Sequence, residues 1–369
     1  MTLLSSPRAG LFTLLLLLLG CDAPDTKPQS AMGSLMGDNL QGYTQVTPGQ
    51  TLRFPEDHQA HNDFRQEWWY LTANLTTASG QPLGLQWTQF RIALSPKTSE
   101  SSSVWATNQL YMAHSAVTTA QQHVAKERWA RAQPQLAGSD AAPLAIKLDN
   151  WLWQSQSQDL FPATLTVSDE QLSYRLALNT SAPYQLQGDK GYSIKSGDGS
   201  VASYYYSQPF IQVTGEVTLE GKSVNVSGDA WLDREWSSQF LNKHQQGWDW
   251  FALRLDDGSA LMLFQLRSDD NQASHFYSAR RMYADGSGRN IDSTSAPTDI
   301  KMTPTDWQQT PSGRYPVGWR IAIASEQLQL TIKPLNRDSH MPLSVSYWEG
   351  PISISGSHQG TGYMELTGY

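Results

Sequence analysis

Short runs in which every second residue is apolar recur along most of this chain, and each run closes on a turn signal. Leu83, Leu85 and Trp87 share one phase, and the phase then flips to Phe90, Ile92 and Leu94, as it would across a β-bulge. Phe251, Leu253 and Leu255 lead into Asp256-Asp257-Gly258 and out through Leu261 and Leu263, an Asp-Gly turn between alternating runs. Trp319-Ile321-Ile323 and Leu328-Leu330-Ile332 repeat the pattern around a Ser-Glu-Gln turn, and Pro334 ends the second run. Only residues 119–131 suggest a helix, through Val124, Arg128 and Trp129 with alanines between them. So many strands and so little helix predict an all-β fold of antiparallel sandwiches or barrels. Aromatic residues make up 11% of the chain, which suits barrels with aromatic-lined cavities.

At 369 residues the chain exceeds the usual size of a single core, so two domains are expected. A net charge of −8 supplies no basic face for nucleic acid. Residues 1–20 have the layout of an export signal, with Arg8 before an apolar run from Leu11 to Leu19 that is too short to span a bilayer comfortably. Leu18-Leu19-Gly20-Cys21 resembles a bacterial lipobox, and Cys21 is the sole cysteine, which makes it the expected site of lipidation. Several acyl chains on one residue would anchor the chain to a membrane stably. Asp22 resembles the signal that retains lipoproteins in the inner membrane, so the folded part is expected to face the periplasm. Residues 21–50 are rich in Pro, Gly, Ser, Gln and Asp and read as a flexible tether.

The stretch with the highest cost runs from Trp231 through Asp233-Arg234-Glu235-Trp236 to Gly247-Trp248-Asp249-Trp250-Phe251. Charges wedged between tryptophans must be paired or they neutralise. Asp57 to Tyr70 repeats the theme, with His58, His61, Arg65 and Glu67 running into Trp68-Trp69-Tyr70, and the two stretches are expected to face each other across a pocket. Arg234 should hold its flanking carboxylates ionised. A structural ion-pair network is the plain alternative for Asp233, Arg234 and Glu235, and Arg65 with Glu67 could brace a strand entrance. His58 and His61 lack the further ligands that a metal site needs, and no metal or cofactor is expected. His114 reads as a satisfied core histidine or a pocket residue. Of Tyr204, Tyr205 and Tyr206, only some can line a pocket, because strand neighbours alternate faces. No Gly-x-Ser-x-Gly elbow supports serine hydrolase chemistry.

Phe54-Pro55 through Trp68-Trp69-Tyr70, Gly188-Asp189-Lys190-Gly191-Tyr192, residues 202–207, Trp231 to Ser238, Gly247 to Phe251, Tyr347-Trp348-Glu349-Gly350 and Gly362 to Tyr369 occur in the order found in one group. Together they resemble the AttH-like and carotenoid 1,2-hydratase family over residues 54–369. The resemblance implies two lipocalin-like β-barrel domains, 51–236 and 237–369, divided near the Asp-Arg-Glu-Trp motif. It also implies hydration of an apolar polyene as one activity of the group. That chemistry needs a protonated carboxylic acid, aromatic faces for the cation and a positioned water. The hydratases read Asp-His-Glu-Trp where this chain has Asp233-Arg234-Glu235-Trp236, and an arginine cannot shuttle protons.

The expected function is therefore a membrane-anchored lipoprotein that binds an apolar lipid- or isoprenoid-like molecule, with an ABC-type transporter as an expected neighbour. Two alternatives stand beside it, a hydratase or hydrolase acting on such a molecule and a docking platform for a membrane transporter. Glu235, Asp249 and Asp233 are the catalytic candidates. Trp236, Arg234, Glu67, Trp69, Arg65, His114, Trp250 and Tyr205 are the candidates for ligand binding.

Overall fold

The computed structural model describes residues 40–369 apart from 99, 104, 240, 242–243, 269–274, 293 and 295–296. Cys21, the export signal and most of the tether lie outside the described residues. The first sheet contains β1 (Gln66–Thr77), β2 (Pro82–Ala93), β3 (Gln109–Thr118), β4 (His123–Arg131), β5 (Ala137–Ala141), β6 (Leu144–Leu148), β7 (Trp151–Ser155), β8 (Ala163–Ser168), β9 (Leu172–Asn179), β10 (Gln185–Leu186), β11 (Tyr192–Ile194), β12 (Ala202–Leu219) and β13 (Lys222–Ser237). Its order is β4-β3-β2-β1-β13-β12-β9-β8-β7-β6-β5, with β10 and β11 both paired to β12, and it curls into a near-barrel.

The second sheet contains β14 (Gln245–Leu255), β15 (Ala260–Ser268), β16 (Phe276–Met282), β17 (Gly288–Asp292), β18 (Ile300–Thr310), β19 (Gly313–Ile323), β20 (Leu328–Pro334), β21 (His340–Met341), β22 (Tyr347–Gly356) and β23 (Gly360–Leu366). It forms a half-barrel in the order β17-β16-β15-β14-β23-β22-β20-β19-β18, with β21 on β22. The Asp-Gly turn joins β14 to β15, with Gly258 at φ +81°, a conformation that glycine adopts without steric cost. Ala324–Glu326 forms the short turn between β19 and β20.

Three apolar cores result. Trp69, Trp87, Trp153 and Trp236 lie inside the near-barrel, and Phe251, Trp319 and Trp348 lie in the hollow of the half-barrel. The third core is the seam between the sheets, where Tyr70, Tyr205 and Trp231 meet Trp248, Trp250, Phe264, Tyr347 and Tyr363. The sheets approach closely there. A Cβ on Gly84 of β2 would sit 2.3 Å from Pro351 Cγ of β22, so the glycine makes the contact possible. Arg254 of β14 ties the sheets together, donating to the carbonyls of Pro209 and Ala230.

Three local expectations are corrected. Residues 119–131 form no helix; His123–Arg131 is the edge strand β4, paired along its length with β3. Ala125 and Ala130 favour helix, but propensity is a weak determinant beside strand pairing, while Lys126, Arg128 and Arg131 suit an edge that must not pair further. No bulge interrupts β2, whose register with β1 and β3 is continuous. The apolar phase flips because both faces are buried: Leu83, Leu85 and Trp87 point into the near-barrel until Gln89 and Arg91 replace them, whereas Phe90 faces the seam. Finally, the two charged stretches face each other across a pocket only in part: Trp68 and Tyr70 face Trp248 and Trp250 across the seam, whereas the Asp-Arg-Glu-Trp motif lies on the neighbouring antiparallel strand, with Trp69 opposite Arg234 and Glu67 opposite Trp236.

Candidate functional site

Period two divides the Asp-Arg-Glu-Trp motif between two environments. Arg234 and Trp236 point into the near-barrel. There Glu67 accepts from the Arg91 and Arg234 guanidinium groups and from the His61 backbone N–H at 2.9 Å. The Arg234 guanidinium carbon lies 3.9 Å from the Trp69 ring centre, and His61 stacks on Trp236 with centroids 4.0 Å apart. Glu67, Arg91 and Arg234 are fully buried, and the two guanidinium groups hold Glu67 well below the usual carboxylate range against the opposing effect of burial. This is the structural network that a buried charge cluster requires, two cations around one anion with hydrogen bonds completing the shell. Arg234 therefore does not touch the carboxylates of Asp233 and Glu235, and the expectation that it holds them ionised is overturned.

Asp233 and Glu235 face the seam. Antiparallel pairing continues their two rows across the first sheet, with Asp233 beside Tyr70, Thr88 and His114, and Glu235 beside Trp68, Phe90 and Met112. Opposite them the second sheet presents a row of Phe264, Trp250, Glu365 and Glu349. Between the sheets lies a cavity of about 680 Å³ including its open mouth. Trp68, Tyr70, Thr88, Phe90, Tyr205, Asp233 and Glu235 line one side, and Trp248, Trp250, Phe264, Leu266, Tyr347 and Glu365 the other, with Lys195 after β11 at the edge. Concave, mostly aromatic walls with a few convergent polar groups are the usual form of a small-molecule site.

The polar groups differ in their partners. Asp233 accepts from Tyr205 Oη at 2.6 Å, Ser207 Oγ at 2.5 Å and Trp231 Nε1 at 2.7 Å. Burial nevertheless outweighs these bonds and pushes Asp233 up to about 7, with Glu235 adding its repulsion. Glu365 accepts from Trp248 Nε1 at 2.7 Å, and burial, together with the charges of Asp233 and Glu235, pushes it up to about 7 as well. Lys195 Nζ lies 3.0 Å from Glu235 Oε1 and 4.3 Å from the centre of the Phe264 ring. Tyr205 and Tyr70 are driven well above the usual phenol range by burial and so keep their protons.

Of the sequence candidates, the structure brings Asp233, Glu235, Tyr205 and Trp250 together at this cavity and leaves the others outside its wall. Glu67, Trp69, Arg234 and Trp236 belong to the near-barrel interior. Arg65 is half-buried with its guanidinium 5.9 Å from the Tyr43 ring centre. Asp249 shares its strand with Trp248 and Trp250 but points to the opposite face, where Arg267 Nη1 (2.6 Å) and Tyr369 Oη (2.7 Å) hold it. His114 is buried behind Tyr347, its Nδ1 2.8 Å from the Tyr347 hydroxyl. His58 and His61 go to separate partners, His58 to Tyr206 and Asp159, His61 to Glu67 and Asp57. Tyr204 and Tyr206 face the barrel interior, so one of the three consecutive tyrosines reaches the cavity.

Sequence reasoning missed Trp68, Tyr70, Lys195, Tyr347 and Glu365 as site residues. For Trp68 and Tyr70 the signal was present, since alternation from the neighbouring motif separates them from Trp69. Glu365 and Tyr347 arrive by long-range pairing that no local pattern announces.

A family model described as AttH-like matches residues 45–369. No functionally curated protein matches the chain. Among solved structures, an AttH protein from Nitrosomonas europaea is 35% identical, with a TM-score of 0.77 over 88% of this chain and 99% of that one. Kievitone hydratase from Nectria haematococca shares the fold at 14% identity, with a TM-score of 0.65 over 88% of this chain and 95% of that one.

Proposed function

The chain belongs to the AttH-like family, and from that premise we propose that it is a hydratase-type enzyme adding water across, or removing it from, a carbon–carbon double bond of an apolar molecule bound in the seam. The observation that carries this reading is a pair of carboxyls, Asp233 and Glu365, both pushed up to about 7 in an aromatic-walled cavity. An acid that stays protonated near neutral pH is what alkene protonation requires. A simple carrier of a lipid- or isoprenoid-like molecule needs the apolar walls but not the acids. A docking platform needs no cavity.

Glu365, with a single hydrogen bond from Trp248, is the group suited to give its proton to the alkene. Asp233, which has three donors ready for its ionised form, is suited to take a proton from the attacking water. One C–H bond and one C–O bond form, the C=C π bond and one water O–H bond break, and the proton on balance passes from Glu365 to Asp233. Trp68, Trp250 and Phe90 line the cavity and supply aromatic surface to the intermediate cation. Lys195 can donate to a substrate oxygen at the cavity edge. The Nectria haematococca relative carries the name of a hydratase, although its likeness to this chain is one of fold.

Lipidation at Cys21, anchoring on the periplasmic side of the inner membrane and an ABC-type transporter nearby complete the proposal on the sequence alone. The test is incubation of purified protein with acyclic polyenes and chromatography for a product heavier by one water. Product formed by wild type and lost in Glu365→Gln is the expected result. Absence of product, or equal product from Glu365→Gln, would leave the carrier as the better description.

A further inference from the structure

A molecule apolar enough for the seam partitions into a bilayer rather than into water, and one end of the first sheet has the side chains to meet it there. We propose that this end, which carries Leu94, Trp105 and Trp129, rests on the lipid bilayer surface and sets the open side of the cavity against it. The contact presupposes the lipid anchor at Cys21 and an apolar substrate, but no particular reaction.

Strand pairing brings the parts together. β1 and β3 begin at this end, at Gln66 and Gln109, while β2, β4 and β13 finish there, at Ala93, Arg131 and Ser237. Leu94 follows β2 directly, and its N–H donates to the Asn108 carbonyl at 2.8 Å. Trp105 lies in the same connection between β2 and β3, and its carbonyl accepts from Arg131 Nη1 at 3.3 Å. Trp129 continues the cavity row of Glu235, Trp68, Phe90 and Met112 onto the edge strand β4. It shares the seam side with Ala125, whereas Val124 and Ala130 turn to the near-barrel core. Leu94, Trp105 and Trp129 are 54%, 57% and 38% exposed, and they make up half of the six large apolar side chains exposed among the described residues. Indole rings of this kind are most stable at a boundary between apolar and aqueous phases, where the ring is dry and the N–H is wet. The cavity is also least covered on this side: Trp68 and Phe90 are half-buried, whereas Tyr70 and Thr88 in the next row are buried.

The chain that leads to the anchor arrives at the same end. Gly42 packs on Pro96, so closely that a Cβ would sit 2.9 Å from Pro96 Cγ. Tyr43 Oη donates to the Ala93 carbonyl at 2.9 Å, and the Thr44 N–H donates to the Asp63 carbonyl at 3.0 Å. Ser238 Oγ, just past β13, donates to the Thr44 carbonyl. Cys21 and Leu40 are 19 residues apart, at most about 65 Å of chain. At the far end of β13 lies another exposed apolar residue, Val224, 13 positions before Ser237 and so about 40 Å away along the strand. An anchor joined at residue 40 therefore brings Leu94 to the bilayer ahead of Val224.

Charge is not what attracts this end. Lys97 and Arg131 are exposed there, but so are Asp63 and Glu100, and the chain as a whole carries −8, which an anionic lipid surface repels. Contact rests on the aromatic and aliphatic side chains and should survive high salt. Three such side chains hold a bilayer weakly by themselves, so the anchor supplies retention and they supply orientation.

The test uses the full-length lipidated protein in vesicles of phosphatidylethanolamine and phosphatidylglycerol, which contain no other protein. With Cys21 acylated, the thiol of Leu94→Cys or of Val224→Cys is the single point of attachment for a nitroxide. Electron paramagnetic resonance then compares its collisions with oxygen, which concentrates in the bilayer, and with a water-soluble nickel chelate. We expect the oxygen-to-nickel ratio at position 94 to exceed that at 224 by about fivefold or more and to hold in high salt, as apolar insertion requires. Adding Trp105→Ser and Trp129→Ser should bring it down to the value at 224. Equal ratios on vesicle-bound protein overturn the surface while leaving the anchor standing, which is also the result if this end docks on a transporter instead. A ratio at 94 that the two serine substitutions leave unchanged would show that the attachment alone holds this end down, and it overturns the surface as well. Protein that does not float with the vesicles refutes the anchor and the surface together. None of these readings involves turnover, so a failure of the hydration reading shows separately, in the product assay.

Discussion

Replacing Asp233 by asparagine should stabilise the protein at alkaline pH while removing its proposed base. The folded-state carboxyl is raised from 3.8 to about 7, roughly three units, and at about 1.4 kcal/mol per unit this amounts to about 4 kcal/mol. The sign follows from proton binding. The folded state binds the Asp233 proton more tightly than the unfolded chain does, so stability is highest below about pH 4, falls as pH rises from about 4 to about 7, and is level above that. Asparagine has no charge to bury and shows no such slope. It does disturb three donors, Tyr205, Ser207 and Trp231, at a cost of about 1 kcal/mol once the hydroxyls have turned. The variant is therefore expected to be less stable than wild type by about 1 kcal/mol near pH 4 and more stable by about 3 kcal/mol near pH 8. Glu365 titrates in both proteins but is freed of the Asp233 charge in the variant, so the difference reports Asp233 together with its coupling to Glu365. Urea unfolding followed by tryptophan fluorescence over that range measures it. A difference that does not change with pH, or that favours wild type more strongly at pH 8, would show that burial does not raise Asp233 in the fold and would remove one of the two raised carboxyls on which the acid–base reading rests.

Arg234→Ala should cost about 3–5 kcal/mol, because Glu67 then keeps Arg91 as its one guanidinium partner, beside His61, in a dry interior. Arg234→His should leave turnover per folded molecule as in wild type, since position 234 faces away from the cavity; urea unfolding checks the first variant and a product assay on the folded fraction the second. Gly84→Leu, which forces a side chain into Pro351, should part the sheets and abolish binding of an apolar fluorescent probe while each sheet keeps its β-type circular dichroism; retained probe binding would place the ligand elsewhere. Cys21→Ser should release the protein from membranes without changing its melting temperature, and a variant that still pellets with membranes after a high-salt wash would argue against the lipid anchor.

The alternating runs determined the all-β class, because a period of two can bury one face only as a strand. They also held, unused, the separation of Asp233 and Glu235 from Arg234 and Trp236. Proximity in sequence suggested that the arginine governs its neighbours, whereas the pleat sends it into a different core. Asp249 misled for the same reason: the tryptophans on either side of it reach the cavity and it does not. The edge strand at His123–Arg131 was illegible locally, since strand preference depends on the neighbours a residue packs against and its partner strand β3 supplies them only in the fold. What only the tertiary structure decided is the chemistry. Glu365, Tyr347 and Glu349 lie more than a hundred residues from Asp233, and they meet it because two sheets press their outer faces together at Gly84 and Pro351. The raised carboxyls exist because that contact removes water, and desolvation depends on what covers a group in space rather than on what flanks it along the chain.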